Sequence, residues 1–224
     1  MPRKLITAAI DYELAAWAQG YRHILGIDEA GRGAWAGPVY AAAVCLPVND
    51  PQLTTKLAGV RDSKKLTERR RMKFIDTIKS VAIAWGVGWA DENEIAKDNI
   101  LRASCFAMVR AYEDAMTRFP GFNPDFMLID SIKCPELVAK ETPYNPIVRG
   151  DQLCMSIAAA SILAKETRDQ YMRDLDKRHP EYEFGSHKGY GTKKHQAALK
   201  AFGASPHHRM TFSPLRRLSE TQNA

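Results

Sequence analysis

The chain is poor in the features that would place it outside the ordinary folded proteins. It has four cysteines, Cys45, Cys105, Cys134 and Cys154, far apart and without a CxxC pair. That spacing speaks against a zinc site and a disulfide framework, and fits reduced thiols in a cytoplasmic protein. No long hydrophobic run is present. The longest apolar stretch, Val39–Val48, falls far short of a membrane span and contains Pro47, so no membrane contact is expected. The basic Arg3 and Lys4 precede only the short apolar run Leu5–Ile10, a poor signal peptide. There is no internal repeat and no low-complexity tract.

What is present is a composition able to fill a core: 224 residues, 45% hydrophobic and 26% charged. One domain over 1–224 is expected, with a core over about 20–178 and a basic part over about 179–224. The net charge is +6 and unevenly spread. Residues 165–224 hold twelve Lys and Arg against seven Asp and Glu, and five of the six histidines. A basic C-terminal quarter fits a polyanion such as nucleic acid, although a plain basic surface would look the same.

Periodicity predicts an amphipathic helix over residues 5–20 with Leu5, Ala8, Ala9, Leu14 and Trp17 on one face. Strands are expected at His23–Asp28 and Val39–Leu46, joined as an antiparallel hairpin, and at Val81–Ala90, Phe126–Asp130 and Asn145–Arg149. Helices are expected from Thr67 to about Ser80, over Asn99–Phe119, from near Gln152 to about Arg178 with Asp151 as N-cap, and over Lys193–Phe202. Gly185–Tyr190 reads as a loop, and the chain from Ser205 as irregular. Strands that alternate with helices give an α/β fold, a mixed sheet flanked by helices.

The most informative stretch is Gly26-Ile27-Asp28-Glu29-Ala30-Gly31-Arg32-Gly33. Two adjacent carboxylates end a strand-like run and a Gly-Arg-Gly turn follows. A regular strand would point Asp28 and Glu29 to opposite faces. A bend permitted by Gly31 and Gly33 would bring them together, beside backbone N–H groups suited to a phosphate. Asp130 ends Phe126-Met127-Leu128-Ile129, and Asp151 follows Ile147-Val148-Arg149-Gly150. Ligand sites in α/β sheets gather at strand ends, so the four acids could form one cluster. Two carboxylates about 5 Å apart repel by roughly 3 kcal/mol at an effective dielectric of 20. A divalent cation removes the conflict, and all-oxygen ligands point to Mg²⁺ or Mn²⁺. Two such ions could activate a water and stabilise the leaving oxygen of a phosphodiester. Taken singly, Asp151 reads first as a helix cap, Asp130 as an Asx-turn acid, and Asp169 as a salt-bridged surface residue.

Three further segments bear on substrate. Ser63 and Lys64, in Asp62-Ser63-Lys64-Lys65-Leu66, offer a hydroxyl and a cation to a phosphate, as an ordinary capping loop also would. Tyr190, in His187-Lys188-Gly189-Tyr190-Gly191-Thr192, could stack on a sugar or base or pack on the core. His207-His208-Arg209 could contact phosphate or be a basic tail.

Together these segments resemble the bacterial members of the ribonuclease HII family, the type 2 ribonucleases H, over about Ile24–Pro214. The resemblance rests on Asp28-Glu29-Ala30-Gly31-Arg32-Gly33, Gly37-Pro38, Asp62-Ser63-Lys64-Lys65-Leu66, Ile129-Asp130, Gly150-Asp151, Ser156–Lys165, Thr167-Arg168-Asp169 and His187–Thr192, in that order. It implies a ribonuclease H-like mixed sheet with a helical C-terminal extension. It also implies an endonuclease that cleaves RNA in RNA–DNA hybrids and nicks 5′ of single ribonucleotides in duplex DNA, as in ribonucleotide excision repair, leaving 3′-hydroxyl and 5′-phosphate ends. By motif match, Asp28, Glu29, Asp130 and Asp151 bind Mn²⁺ or Mg²⁺, two ions during catalysis. Gly31, Arg32 and Gly33 read the ribose 2′-hydroxyl, and Tyr190 stacks on the following deoxyribose. A monomer is expected. The sequence departs from the family pattern at Trp35 (for Pro), Ser131 (for Gly or a small residue), Arg149 (for Lys) and Glu166 (for Val). The alternatives are a non-catalytic binder of RNA–DNA hybrids and a 3′ exonuclease on a related sheet.

Overall fold

The alanines of the second strand and the glycines of its neighbours set how closely the layers of this fold approach. In the computed structural model, which describes residues 7–131, 134–138 and 140–222, five strands form one sheet. They are β1 (Ile24–Ala30), β2 (Val39–Cys45), β3 (Ala84–Ala90), β4 (Phe126–Asp130) and β5 (Tyr144–Ile147), in the order β3-β2-β1-β4-β5. The β1–β2 hairpin and the β2–β3 pair are antiparallel, whereas β4 and β5 join parallel to β1. The helices, in chain order, are α1 (Asp11–Ala18), α2 (Leu53–Lys56), α3 (Glu68–Val81), α4 (Glu92–Arg118), α5 (Pro135–Val138), α6 (Gly150–Leu153), α7 (Met155–Arg178), α8 (Phe184–His187), α9 (Lys193–Phe202) and α10 (Ser213–Gln222).

The long α4 covers one face, over Leu25, Ile27, Ala41 and Ala43; α7 and α3 cover the other, over Ala42 and Val44. A Cβ on Gly86 or Gly88 would lie 2.2 Å from the Ala111 or Ala107 carbonyl oxygen of α4, and one on Gly26 would lie 2.4 Å from the Ser156 backbone of α7. These contacts require glycine, because the helix backbones rest directly on the strands.

Several elements differ from the sequence reading, each for a local reason. The first helix is only Asp11–Ala18; Leu14 is exposed, and Glu13 is buried because its carboxylate accepts from the Ser156 N–H (2.6 Å) and the Cys154 thiol (3.1 Å). Leu5 lies outside the described residues. Helix α4 starts seven residues earlier than expected, because Asp91 and Glu94 form a reciprocal capping box and a kink at Asn99 (φ 69°) joins two helical runs. The helix expected from Gln152 is broken at Cys154, which has extended backbone angles. Asp151 is not an N-cap: it lies inside the first turn of α6, and the cap position is held by Arg149 at φ 59°. Gly185–Tyr190 is not wholly loop, since α8 ends within it. The segment after Ser205 is not irregular, since it ends in α10.

The C-terminal part docks through histidines. His195 and His208 are buried, with their Nε2 atoms 3.0 Å apart, and His187 stacks on His195 at 4.4 Å between ring centroids. Burial, then the neighbouring imidazole, pushes the pKa of His195 and of His208 down to about 4. The folded pair is therefore neutral, while the unfolded histidines protonate near their usual 6.5, so stability present above that pH is lost as pH falls from about 6.5 towards 4. Calorimetry across this range is expected to show a loss of at most about 3 kcal/mol from each histidine. His195→Gln/His208→Gln is expected to flatten that profile, and an equally steep profile in the double variant removes the assignment.

Candidate active site

The acids sit where the parallel strands end. Along β1 the alternation persists through both carboxylates: Asp28 pairs with Ala42 and Glu29 with Ala41, so they face opposite sides of the sheet. The bend expected at these residues does not occur there; the strand runs to Ala30, and the turn begins at Gly31 (φ +97°). Gly33 has neither a positive φ nor a crowded Cβ direction, so of the two glycines only Gly31 is required by the turn. The parallel register Ile27↔Ile129 sets Asp28 beside Asp130, and Asp151 enters from α6, after β5.

Asp28 is buried and accepts from the Ser161 hydroxyl and the Glu29 N–H (2.7 Å). Burial raises its pKa well above the usual carboxylate value, with the charges of Glu29 and Asp130 adding to the effect. Burial likewise raises Glu29, against the pull of Arg32, whose guanidinium donates to Glu29 Oε1 at 3.2 Å. Asp151 is pushed up to about 6 by burial, then by Asp62 and Asp130. Lys64 is exposed and loses some basicity to burial, but Asp28, Asp151 and Asp62 outweigh this and raise it. The four acids and Lys64 thus lie in one field. No three of the carboxylates place an oxygen each within 4.8 Å of one another. Glu29 is turned to Arg32, and Asp130 Oδ1 accepts from the Gly150 N–H (2.7 Å) and the Ser131 hydroxyl (3.2 Å).

Donor chemistry fits a hard divalent cation. Every candidate ligand is a carboxylate oxygen, and Glu29 Oε2 is buried without a hydrogen-bond partner. A buried acceptor without a donor is costly, and a cation at Oε2 would satisfy it.

The Gly-Arg-Gly turn is held from behind by two buried arginines, Arg168, which appears in the sequence only within a motif, and Arg209, expected as a phosphate contact or part of a basic tail. Arg168 of α7 donates to the carbonyls of Pro38 (2.9 Å), Lys188 (2.9 Å) and Ala36 (3.1 Å). It packs so closely under Gly31 that a Cβ there would lie 2.0 Å from its Nε. Arg209 donates to the carbonyls of Gly37 (2.8 Å) and Arg32 (3.0 Å). His208 and Arg209 are therefore internal braces, not a phosphate contact or a basic tail. Tyr190 is half-buried, with the Arg168 guanidinium 5.6 Å from its ring centre and Lys165 Nζ at 5.8 Å. Trp35, a departure from the family pattern, fills the space against Gly191, where a Cβ would lie 2.2 Å from its ring.

Other sequence expectations are changed by burial. The Ser63 hydroxyl points inward and shares a 2.9 Å hydrogen bond with Ser161, so the expected phosphate contact by this side chain is not available. Asp169 is salt-bridged as expected but buried, between Lys165 (2.5 Å) and Arg71 (3.4 Å). Glu166, another departure, is the second carboxylate paired with Arg71. Ser131 (φ 49°) and Arg149 (φ 59°) both adopt left-handed backbone beside Asp130 and Asp151, which explains why a glycine suits the first position. Lys133 and Leu218–Ala224 lie outside the described side chains.

A central antiparallel hairpin extended by two parallel strands, with carboxylates at the parallel ends, defines a ribonuclease H-like enzyme fold. Comparison with known proteins agrees. The ribonuclease HII family model matches residues 25–214. The chain is 48% identical over 212 residues to a ribonuclease HII of Desulfitobacterium hafniense (95% of this chain, 76% of the relative). It is 49% identical over 199 residues to one of Polynucleobacter necessarius (88% and 96%). It superposes on the crystal structure of ribonuclease H2 from Pyrococcus horikoshii with a TM-score of 0.72 at 25% identity, covering 89% of this chain and 98% of that one. Bst-RNase HIII, solved in complex with Mn²⁺, shares the fold at a TM-score of 0.70 and 18% identity, covering 94% and 74%. The chain belongs to the ribonuclease HII family and is a ribonuclease H. Among the described residues no helix is long and apolar enough to cross a membrane.

Proposed function

We propose that this ribonuclease H nicks duplex DNA on the 5′ side of an embedded ribonucleotide, besides cleaving RNA in RNA–DNA hybrids. The observation that carries this reading is the brace at Arg168. One buried guanidinium packs under Gly31, bonds the segment that follows the turn at Ala36 and Pro38, and bonds the loop before Tyr190 at Lys188. A reader of the 2′-hydroxyl and a ring for the next sugar are thereby fixed relative to each other.

Asp28, Glu29, Asp130 and Asp151 would hold the divalent cations, Mn²⁺ or Mg²⁺; Bst-RNase HIII binds Mn²⁺ on the same fold. When bound, such cations supply Lewis-acid stabilisation of phosphodiester charge and a nucleophilic water at neutral pH. The chain's own groups do the rest. The 2′-hydroxyl donates and accepts hydrogen bonds, and is the backbone group that separates RNA from DNA. The Gly31-Arg32-Gly33 turn, which reaches the surface at Gly33, would offer it backbone donors and acceptors at close range. Arg32 and Lys64 take up phosphate charge, which positions the duplex without reading its sequence. Tyr190 stacks on the deoxyribose 3′ of the ribonucleotide and so senses the RNA-to-DNA junction. The four acids argue against a silent hybrid binder, because unneutralised carboxylates would only repel the phosphates.

The test is an end-labelled duplex holding one ribonucleotide, incubated with Mg²⁺ or Mn²⁺. A single internal cut leaving a 3′-hydroxyl and a 5′-phosphate is expected. Stepwise shortening would mark an exonuclease, and binding without cutting a mere hybrid binder. Tyr190→Ala is expected to lose about tenfold more activity on the single-ribonucleotide duplex than on an all-RNA hybrid, the order of one lost stacking contact. Equal losses on both substrates would remove the junction role.

A further inference from the structure

We propose that Cys105, Cys134 and Glu136 form a binding site for one thiophilic divalent cation of the Zn²⁺ class, separate from the carboxylates. Cys105 lies on α4, while Cys134 and Glu136 lie at the start of α5, across the layer from it. The two Sγ atoms and a Glu136 carboxylate oxygen all lie within 4.8 Å of one another, and Cys134 Sγ is 3.8 Å from Glu136 Oε2. The mechanism proposed above uses none of the three.

The surroundings suit a thiolate site. Neither cysteine is in a disulfide and both are buried, which limits the access of competing water. The Cys105 thiol is hydrogen-bonded to Cys134, and the Cys134 sulfur accepts from the backbone N–H groups of Leu137 and Glu136; these contacts push the Cys134 pKa down, while the bond to Cys134 and burial push Cys105 up, so the cation must displace the Cys105 proton. Glu136 is partly exposed and gives the cation a way in. Two thiolates and one carboxylate around a divalent ion leave one excess negative charge, and Arg102 Nε, 3.4 Å from Glu136 Oε1, stands beside it. Two sulfurs and one oxygen are three ligands of a tetrahedron, with water as the fourth. Binding forms two metal–sulfur bonds and one metal–oxygen bond and releases one proton from each thiol to solvent, with no redox change. A cation there would clip α4 to the connection that leaves β4 four residues beyond Asp130. The wide sequence separation of Cys105 and Cys134 hides the site from any spacing rule.

The full chain, reduced with a phosphine under argon, is titrated with Co²⁺. The expected result is thiolate-to-cobalt charge-transfer absorption saturating at one equivalent and abolished by Zn²⁺. The band should persist in Asp28→Asn and vanish in Cys105→Ser and in Cys134→Ser. Glu136→Gln, on a partly exposed side chain, should bind at least ~10-fold more weakly. No band in the parent chain, a band retained in either serine variant, or a Glu136→Gln affinity within twofold of the parent overturns the site. Should the serine variants not fold, the Glu136→Gln titration decides.

Discussion

Asp28→Asn, or Asp130→Asn, is expected to lower the cleavage rate by roughly 10³-fold or more while substrate binding changes only a few-fold. The asymmetry follows from the division of labour proposed above, in which Arg32, Lys64 and the turn would take the phosphates and the acids would supply the cation sites. Asp28→Asn carries a second signature. Its carboxyl pKa is raised by burial and by two neighbouring anions, so the ionised form destabilises the folded chain at neutral pH. Asn keeps an oxygen for the Ser161 hydroxyl and the Glu29 N–H and removes the charge. With a chelator present, the variant should therefore melt higher than the parent. Single-turnover cleavage, a binding isotherm and a melting curve check the three statements. A variant that cuts at the parent rate removes that acid from the catalytic set.

The second large effect is expected at Arg168. It is fully buried and satisfies three carbonyls from two separate segments. Arg168→Met removes the donors and leaves those oxygens unpaired, a cost of about 3–5 kcal/mol, which for a chain of this size lowers the melting temperature by about 10 °C. Arg168→Lys should not rescue, because one ammonium lacks the planar fork that reaches Pro38, Ala36 and Lys188 together. Below their melting points both variants should also lose the preference for a junction over an all-RNA hybrid, since the turn and the Tyr190 loop are no longer tied. Calorimetry with paired substrates tests this, and a Lys variant within 1 kcal/mol of the parent would show that the brace is dispensable.

These two sites differ in how far they could be seen beforehand. The acids were visible because each ends or follows an apolar run, a pattern carried by a few adjacent residues. Arg168 carries no such local signal, because its partners at Ala36 and Pro38 lie more than 120 positions away. Ser63 is the converse case. Its place beside Lys64 fits a phosphate loop, yet a contact with Ser161 turns its hydroxyl inward. The start of α4 was legible and missed: Asp91 and Glu94 spell the capping box.

The sequence by itself determined the mixed α/β order of elements, the glycine turn after Glu29, the helix from Thr67 and the family to which the chain belongs. Each of these is written in short-range periodicity, caps and motifs. Only the tertiary structure decided that Asp28 and Glu29 stay on opposite faces of an unbent strand. It alone turned His208, Arg209 and Asp169 inward and brought Cys105 against Cys134. The reason is that a buried polar group must find its partner across the sheet, and which distant residue that is depends on how the layers stack.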